Sequence, residues 1–405
     1  MVDVCFYFQV HQPYRLRKFG VFDIGTHANY FDTKKNINIL KKVAAKCYIP
    51  SNRLMLYLIK QHPEFKVSYS LSGIFMDQCR RYAPEVLDSF KELADTGNVE
   101  FLDETYHHSL SFLYSKSEFM EQVALHRKQI QTYFGQTPKV FRNTELVFNN
   151  ELAHVVEGMG YKGILAEGAD HILGWRSPNY VYRPKTTTNM ALLLKNYKLS
   201  DDIAFRFSSH DWKEFPLTAE KFARWVSAVN GNGTNVNLFM DYETIGEHQW
   251  ACTGIFDFMK ALPGEILKHP DNAFMTPSEV IAAHKPVAEL DIHHFISWAD
   301  VERDLSAWLG NNMQTAAMYH IFALEQQVKA TNDPGIIELW RKLTTSDNFY
   351  YMCTKWFADG DVHKYFNPHD RPHDAFISFM NILTDLQIRI KKKEVKPLER
   401  PIPAR

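Results

Sequence analysis

The chain has 405 residues, with 46 lysines and arginines against 47 aspartates and glutamates, and its formal net charge is −1. This balance gives no electrostatic case for binding nucleic acid or an anionic membrane surface. Apolar residues make up 45% of the chain, which allows a large core, and the length suits a barrel with an appendage.

Short apolar runs alternate with helical patterns from the N-terminus to about residue 285. Such runs are typical of strands buried on both faces of a parallel sheet, and their alternation with helices predicts an α/β fold. The pattern alone does not separate an open sheet from a barrel. The predicted strands cover residues 3–10, 65–71, 99–102, 139–146, 163–166, either 191–194 or 203–207, and 236–240.

The sequence changes character at about residue 284 and becomes helical. Helical patterns cover residues 299–330, 333–357 and 374–391, and Asp333 and Pro334 fit the N-cap and first-turn positions of the second. We therefore predict two domains, a barrel-like domain of residues 1–285 and a helical domain of residues 286–405.

Polar residues follow several predicted strands at their carboxyl ends, where barrel enzymes carry their chemistry. An isolated aspartate after a strand more often caps the next helix, but acids that recur at the same end of several strands favour a site. Glu145 and Asp241 are the best pair because each comes at the end of a well-defined apolar run. Two carboxylates in unlike environments are what glycosidic cleavage requires. The residues at this rim are His11, Gln12, Glu104, His107, Glu145, Glu167, Asp211 and Asp241.

Five short segments are spread in order from residue 11 to residue 314. They are His11-Gln12-Pro13, residues 97–108, residues 141–145, residues 240–243, and residues 297–300 with Trp308, Asn311 and Gln314. These segments resemble the five regions that describe glycoside hydrolase family 57, the second α-amylase family. In the second segment His107 takes the place of the family's histidine. Each segment is a weak signal alone, whereas five in the family's order are a strong one.

The resemblance implies an incomplete (β/α)7 barrel followed by a C-terminal helical region that completes the active site. It also implies a retaining reaction on α-1,4-glucans, with Glu145 as the nucleophile and Asp241 as the acid/base. Within the same family, a 4-α-glucanotransferase or an α-1,6-active pullulanase-type enzyme is the alternative. The expected substrate is an α-glucan or a maltooligosaccharide.

The resemblance and the strand-end positions together indicate residues that bind the sugar. Asp300 and Asp304 lie four residues apart, on one face of a predicted helix, although a solvated helix face is the alternative. Tryptophans suit stacking on sugar rings, although core packing is about as common. The predicted substrate-binding residues are His11, Gln12, Glu104, His107, Arg142, Trp175, Trp212, Trp298, Asp300 and Asp304.

Two other classes of protein remain open. A metal-dependent polysaccharide deacetylase would use a related barrel, with His107, His108 and an aspartate as metal ligands. However, such enzymes need an Asp-Asp pair on the first strand, which here ends in His11-Gln12. A glycan-binding protein without turnover is the other alternative, and the retention of both Glu145 and Asp241 argues against it.

The N-terminus and the cysteines predict a cytoplasmic protein. Met1 leads directly into an apolar strand without a basic segment, and no apolar run reaches transmembrane length. The five cysteines are scattered and none forms a CxxC pair, which argues against a disulfide framework or a zinc site. We expect no metal, no cofactor, no nucleic-acid partner and no membrane partner, and the sequence does not fix the oligomeric state.

Overall fold

The computed structural model describes residues 1–355 and 367–394, which form two compact units. The first unit contains Met1–Gln12, Asn36–His108 and Ser117–Leu305. The second contains Pro13–Lys35, Ser109–Lys116 and the described part of Ser306–Arg405. Among the described residues, no helix combines the length and the apolar character needed to cross a bilayer.

Parallel strands form a ring at the centre of the first unit. Strand β1 is buried along its whole length, as expected for a strand with neighbours on both sides and helices outside. In chain order the strands are β1 (Val2–Val10), β2 (Val67–Leu71), β3 (Val99–Phe101), β4 (Val140–Arg142), β5 (Gly163–Glu167), β6 (Arg183–Pro184), β7 (Ala191–Lys195), β8 (Asn235–Asp241), β9 (Asn272–Phe274) and β10 (Glu289–Leu290).

The ring contains seven of these strands, namely β1, β2, β3, β4, β5, β7 and β8. One sheet has the order β3–β2–β1–β8, with β9 beside β1, and another has the order β4–β5–β7. The two sheets meet where Asp103, just after β3, bridges Phe141 of β4. They meet again where the amide of Asn196, just after β7, donates to the carbonyl of Asn237 in β8 over 2.9 Å. The predicted incomplete (β/α)7 barrel is thus confirmed.

The sixth strand of the ring is β7, which settles the choice that the sequence left open between residues 191–194 and 203–207. Residues 203 and 204 belong instead to a helix, Tyr197–Ala204. This helix begins after Asn196, whose side chain accepts a hydrogen bond from the amide of Leu199. Asp211 therefore does not directly follow a barrel strand, and its place at the rim stays a prediction.

Helices alternate with the strands in the first unit and make up most of the second. Several begin at side-chain caps, among them Thr218, which accepts a hydrogen bond from the amide of Lys221. The described α-helices are α1 (Thr33–Val43), α2 (Ile49–Gln61), α3 (Gly73–Tyr82), α4 (Pro84–Ala94), α5 (Lys116–Phe134), α6 (Asn150–Gly158), α7 (Asp170–Leu173), α8 (Tyr197–Ala204), α9 (Ala219–Ser227), α10 (Ile255–Leu267), α11 (Pro277–Ala283), α12 (Ser306–Leu309), α13 (Asn312–Ala323), α14 (Glu325–Ala330), α15 (Pro334–Leu343), α16 (Ser346–Tyr350) and α17 (Pro372–Glu394).

The fourth strand is shorter than the predicted residues 139–146. Strand β4 ends at Arg142, and Thr144–Leu146 forms a 3-10 turn that carries Glu145. Asn143 stabilises this turn, since its side-chain nitrogen donates to the carbonyl of Val147 over 2.9 Å. Glu145 consequently follows the strand on a turn and does not extend it.

The first unit continues beyond residue 285, where the sequence placed the end of the barrel domain. Strand β10 pairs with β6, and Ile296 bridges Phe148. The first compact unit extends as far as Leu305. The prediction that residues 286–405 complete the active site stays a prediction.

The predicted helix over residues 299–330 is wrong in its first part, residues 299–305, and is divided into α12, α13 and α14 in the rest. Asp300 and Arg303 have left-handed backbones, with φ of 56° and 54°, which a helix does not allow. Regular helices begin only at Ser306, and Asn311 then caps α13 by accepting a hydrogen bond from the amide of Gln314.

The next predicted helix, residues 333–357, is also divided, into α15 and α16. Its predicted cap is confirmed, because Asp333 accepts hydrogen bonds from the amides of Gly335 and Ile336. Residues 356 and 357 of that prediction lie outside the described residues.

Candidate active site

Polar and charged side chains from several strand ends of the first unit are joined by hydrogen bonds. Gln9 lies on β1, and its side-chain nitrogen donates to Glu104, just after β3, over 3.0 Å. Glu104 in turn contacts His108, and His108 contacts Glu145, which follows β4. The carboxyl ends of parallel strands therefore bring together acids that are far apart in sequence, as expected for a barrel.

Glu145 is held in a backbone conformation that few non-glycine residues adopt. Its φ is 58° and its ψ is 23°, in the left-handed region, a strain that the surrounding structure must offset. One carboxylate oxygen lies 3.1 Å from Nε2 of His108, and the other accepts a hydrogen bond from Nε1 of Trp298 over 2.8 Å. Its side chain is only 19% exposed.

These contacts keep the Glu145 carboxyl ionised. Burial would raise its pKa, but the hydrogen bond and charge of His108, with the charge of Arg142 and the Trp298 hydrogen bond, lower the pKa to about 2. At neutral pH Glu145 is therefore a carboxylate, and His108 and Trp298 each hold one of its oxygens.

His108 lies between two carboxylates. Its Nδ1 is 2.9 Å from Glu104 and its Nε2 is 3.1 Å from Glu145. An ionised carboxylate only accepts hydrogen bonds, so both ring nitrogens must carry protons and the ring is an imidazolium. Burial would lower the His108 pKa, whereas Glu104 and Glu145 raise it to about 9. Because the folded-state pKa of His108 is raised, its charge stabilises the folded protein. This stabilisation is complete below the ordinary histidine pKa and is lost as pH rises through about 9.

Asp241, the last residue of β8, has the opposite electrostatic environment. Its side chain is accessible to solvent, but protein atoms surround it closely enough to reduce its hydration. This desolvation and the negative charge of Glu145 outweigh nearby cations and raise the Asp241 pKa to about 6. The two carboxyls are thus displaced from their ordinary pKa values in opposite directions.

Arg142 is a buried cation at the end of β4. The centre of its guanidinium lies 4.8 Å from the centre of the Trp298 ring, a cation–π contact. Within the described part of the chain, none of its guanidinium nitrogens has a hydrogen-bond partner. Its charge acts on its neighbours, because it lowers the pKa of both Glu145 and Asp241.

His11 joins this cluster, whereas Gln12 lies in a second one. The His11 ring stacks on the His108 ring, with 3.9 Å between centres, and its Nδ1 lies 2.7 Å from the Ser72 hydroxyl. The side-chain nitrogen of Gln12 donates to the Tyr48 hydroxyl over 3.2 Å and to Glu243 over 3.4 Å. Burial and the charge of Asp241 raise the pKa of Glu243 to about 8.

His107, the histidine that the sequence favoured, is buried beside Tyr106. Its main-chain amide donates to the side chain of Gln122 over 3.2 Å, and its buried ring packs against Tyr106. The structure places His108, and not His107, on Glu145. A contact between His107 and the sugar stays a prediction.

Two of the predicted stacking tryptophans lie outside the hydrogen-bonded cluster. Trp175 is 91% exposed on the loop after α7. Trp212 packs edge-on against Trp225, with 6.2 Å between ring centres. The hydrogen bonds that link Glu104, His108 and Glu145 involve neither of them.

The two predicted aspartates do not share a helical face. Asp300 is buried in a turn with a left-handed backbone, and Asp304 is exposed on a bend before α12. Their roles in binding the sugar stay predictions.

Across residues 1–355 and 367–394, no three His, Cys, Asp or Glu side chains are grouped so that they could hold a metal ion.

Comparison with known proteins identifies the family. The sequence model described as glycosyl hydrolase family 57 matches residues 5–293. This chain belongs to that family. A Methanocaldococcus jannaschii protein named "Putative alpha-amylase" is 45% identical over 405 residues, covering 96% of this chain and 85% of its own.

Solved structures of the family share the fold at low sequence identity. A family 57 branching enzyme from Thermococcus kodakaraensis has a TM-score of 0.65 at 15% identity, covering 86% of this chain and 85% of that one. A 4-alpha-glucanotransferase from Thermococcus litoralis has a TM-score of 0.66 at 14% identity and covers 86% of this chain. This chain spans only 56% of that enzyme's length.

Sequence reasoning missed three residues of this candidate site. It named His108 only as an alternative metal ligand, and it did not name Gln9 or Lys195. The Lys195 ammonium lies 3.7 Å from Glu167, and its charge acts to lower the pKa of Asp241. The sequence did not show the backbone conformation of His108, whose φ of 50° lies in the left-handed region. Gln9 did leave a signal, because it is a polar residue inside an otherwise apolar strand, β1.

Replacing His108 by asparagine should shift the pH profile of kcat/KM upward at both limbs. Asparagine tolerates the left-handed backbone and carries no charge. Without the imidazolium, the pKa of Glu145 rises, and so does the pKa of Asp241, which the charge of His108 also lowers. The measurement is kcat/KM on a maltooligosaccharide across pH, together with the melting temperature at each pH.

His107→Asn is the matched control, because it removes the adjacent histidine and leaves both hydrogen bonds of His108. We expect its two limbs to coincide with those of the parent enzyme, even if its KM changes. Upward shifts in the His107 variant and none in the His108 variant would show that the assignment to His108 is wrong.

Proposed function

We propose that this chain is a retaining glycoside hydrolase that acts on α-1,4-glucans, with Glu145 as the nucleophile and Asp241 as the acid/base. The observation that carries the proposal is the pair of opposed environments. Glu145 is ionised by His108, Arg142 and Trp298, and Asp241 has a pKa raised to about 6. Carboxyls displaced in opposite directions are the arrangement that divides nucleophile from acid in glycosidases.

In the first step Glu145 attacks the anomeric carbon of the sugar, while Asp241 donates its proton to the departing glycosidic oxygen. The products are a covalent ester between Glu145 and the sugar, and a shortened glucan. Forming the ester removes the negative charge of Glu145, which lowers the pKa of Asp241 because that charge had raised it. Asp241 then accepts a proton from water, and the resulting hydroxide displaces Glu145.

The cations around Glu145 have a defined part in this cycle. His108 and Arg142 stabilise the carboxylate before attack and again when it leaves the sugar. Trp298 fixes one carboxylate oxygen through its indole N–H, which leaves the orientation of the other to His108. Such fixed donors require no reorganisation during the reaction.

The deciding experiment follows the anomeric configuration of the first product by NMR. With an α-linked maltooligosaccharide, two displacements at the same carbon return the α-anomer, so we expect the α signal first and the β signal later through mutarotation. A β-anomer at early times would exclude Glu145 as a nucleophile.

Product analysis of the same reaction separates hydrolysis from transfer. A maltooligosaccharide of one defined length should give only shorter products if water is the acceptor. Products longer than the starting sugar would indicate glucanotransferase activity. The absence of any product would favour a glycan-binding protein.

A further inference from the structure

The segment that carries Trp298 has no regular secondary structure of its own. Residues 298–305 form bends and turns, and Asp300 and Arg303 both have left-handed backbones. Trp298 nevertheless contacts Glu145 twice, because its indole donates to the carboxylate and its amide donates to the Glu145 carbonyl over 3.3 Å. Something other than secondary structure must therefore hold Trp298 in place.

Arg303 closes this segment into a loop and ties it to the barrel. Its carbonyl accepts a hydrogen bond from the amide of Ser297 over 3.1 Å. Its guanidinium donates to the carbonyl of Trp298 over 2.8 Å and, from the same nitrogen, to Glu167 at the end of β5 over 3.2 Å. A second guanidinium nitrogen lies 3.6 Å from Asp201 of α8. The guanidinium also lies 4.7 Å from the centre of the Tyr197 ring.

These ion pairs are protected from solvent. The Arg303 side chain is 16% exposed and the Glu167 side chain is 0% exposed. Ion pairs shielded in this way are screened little by salt, and breaking one leaves a buried charge uncompensated. The planar guanidinium also holds its partners in fixed directions, which a flexible lysine ammonium does not.

The need for a cation beside Glu167 does not by itself explain why Arg303 lies there. Lys195 already lies 3.7 Å from Glu167 and 3.1 Å from Asp201. The contact specific to Arg303 is its hydrogen bond to the Trp298 carbonyl, whereas Lys195 faces the Trp298 ring at 5.5 Å.

We propose that Arg303 is a positioning residue for the reaction. It anchors the Trp298 main chain to Glu167, so that the Trp298 indole stays hydrogen-bonded to Glu145. This role rests on the proposed function, in which Glu145 is the nucleophile. Arg303 touches neither substrate nor reacting atoms in this role, and its effect passes entirely through Trp298.

The test compares Arg303→Lys, Trp298→Phe and the double variant. Trp298→Phe keeps the ring and removes only the indole donor. In both single variants we expect kcat to fall by about 10- to 100-fold, because a small misplacement of a catalytic group has effects of this size. We also expect the acidic limb of the kcat/KM profile to shift upward. The kcat of the double variant should be no lower than the kcat of the less active single variant, since both changes remove the same interaction.

Arg183→Lys is the matched control. Arg183 also donates to a main-chain carbonyl, that of Thr188 over 3.2 Å, and pairs with a glutamate, Glu289. It belongs to β6 and contacts neither Trp298 nor Glu167 through these bonds, so we expect parental kinetics and an unchanged acidic limb.

A second readout does not depend on activity. In 15N-labelled protein the Trp298 indole N–H resonance is identified by its loss in Trp298→Phe. Because the parental indole donates to a carboxylate, Arg303→Lys should move this resonance upfield, toward the position of a free indole. If Arg303→Lys does not fold, Glu167→Gln, which leaves Arg303 bonded to Trp298, should show a smaller displacement in the same direction.

Two results separate failure of this proposal from failure of the proposed function. An unchanged indole resonance and an unchanged acidic limb in Arg303→Lys would overturn the positioning role of Arg303. Effects of Arg303→Lys and Trp298→Phe that multiply in the double variant would overturn it as well. If Glu145→Gln keeps parental turnover, the proposed nucleophile fails, but the indole resonance still reports whether Arg303 holds Trp298.

Discussion

Glu145→Gln should lower turnover of a maltooligosaccharide by about 10⁴-fold or more, because the amide cannot form the glycosyl ester on which the double displacement depends. Glutamine has the same shape and can still accept the Trp298 hydrogen bond. The substitution leaves His108 with one carboxylate partner, Glu104, so the melting temperature at neutral pH should fall only modestly. The measurements are initial rates by product chromatography and thermal unfolding on the same preparation.

Glu118→Gln is a suitable control for the effect of replacing a buried glutamate by glutamine. Glu118 is a buried glutamate on α5 whose carboxylate accepts a hydrogen bond from Gln122 over 3.0 Å. We expect this variant to keep its rate whatever its stability. Parental rates in Glu145→Gln, with folding intact, would remove Glu145 from the reaction.

The barrel could be predicted because its strands are buried on both faces. Burial of that kind makes a strand nearly continuous in apolar residues, as in β1 and β8, and such runs are visible without a structure. The exceptions arose where local polar contacts overrode the apolar pattern. Residues 203–207 are apolar enough for a strand, yet residues 203 and 204 end the helix that begins after the Asn196 cap.

The pair Glu145 and Asp241 could be selected from sequence because each comes at or just after the end of a strand. The partners that set their pKa values were harder to find. His108 differs from His107 only by one position, and its left-handed backbone decides which of the two rings faces Glu145. Arg303 lay within a predicted helix, and its role depends on a loop that the periodicity did not indicate.

Asp241→Asn should slow turnover of an unactivated glucan by about 10²- to 10⁴-fold, the usual contribution of a general acid and base. Its pH profile should also change shape. In the parent enzyme kcat/KM should fall as pH rises above about 6, because Asp241 must be protonated to act as the acid. Asparagine does not titrate, so the variant should lose this alkaline limb.

An α-maltosyl fluoride substrate with added azide assigns the two roles separately. Fluoride leaves without a proton, so Asp241→Asn should still form the ester with Glu145. Azide then needs no general base and attacks from the face opposite Glu145, which gives an α-glycosyl azide after two inversions. In Glu145→Ala azide fills the space that the nucleophile leaves, and a single inversion gives the β-glycosyl azide. The same anomer from both variants, or the two anomers exchanged, would show that the assignment of nucleophile and acid/base is wrong.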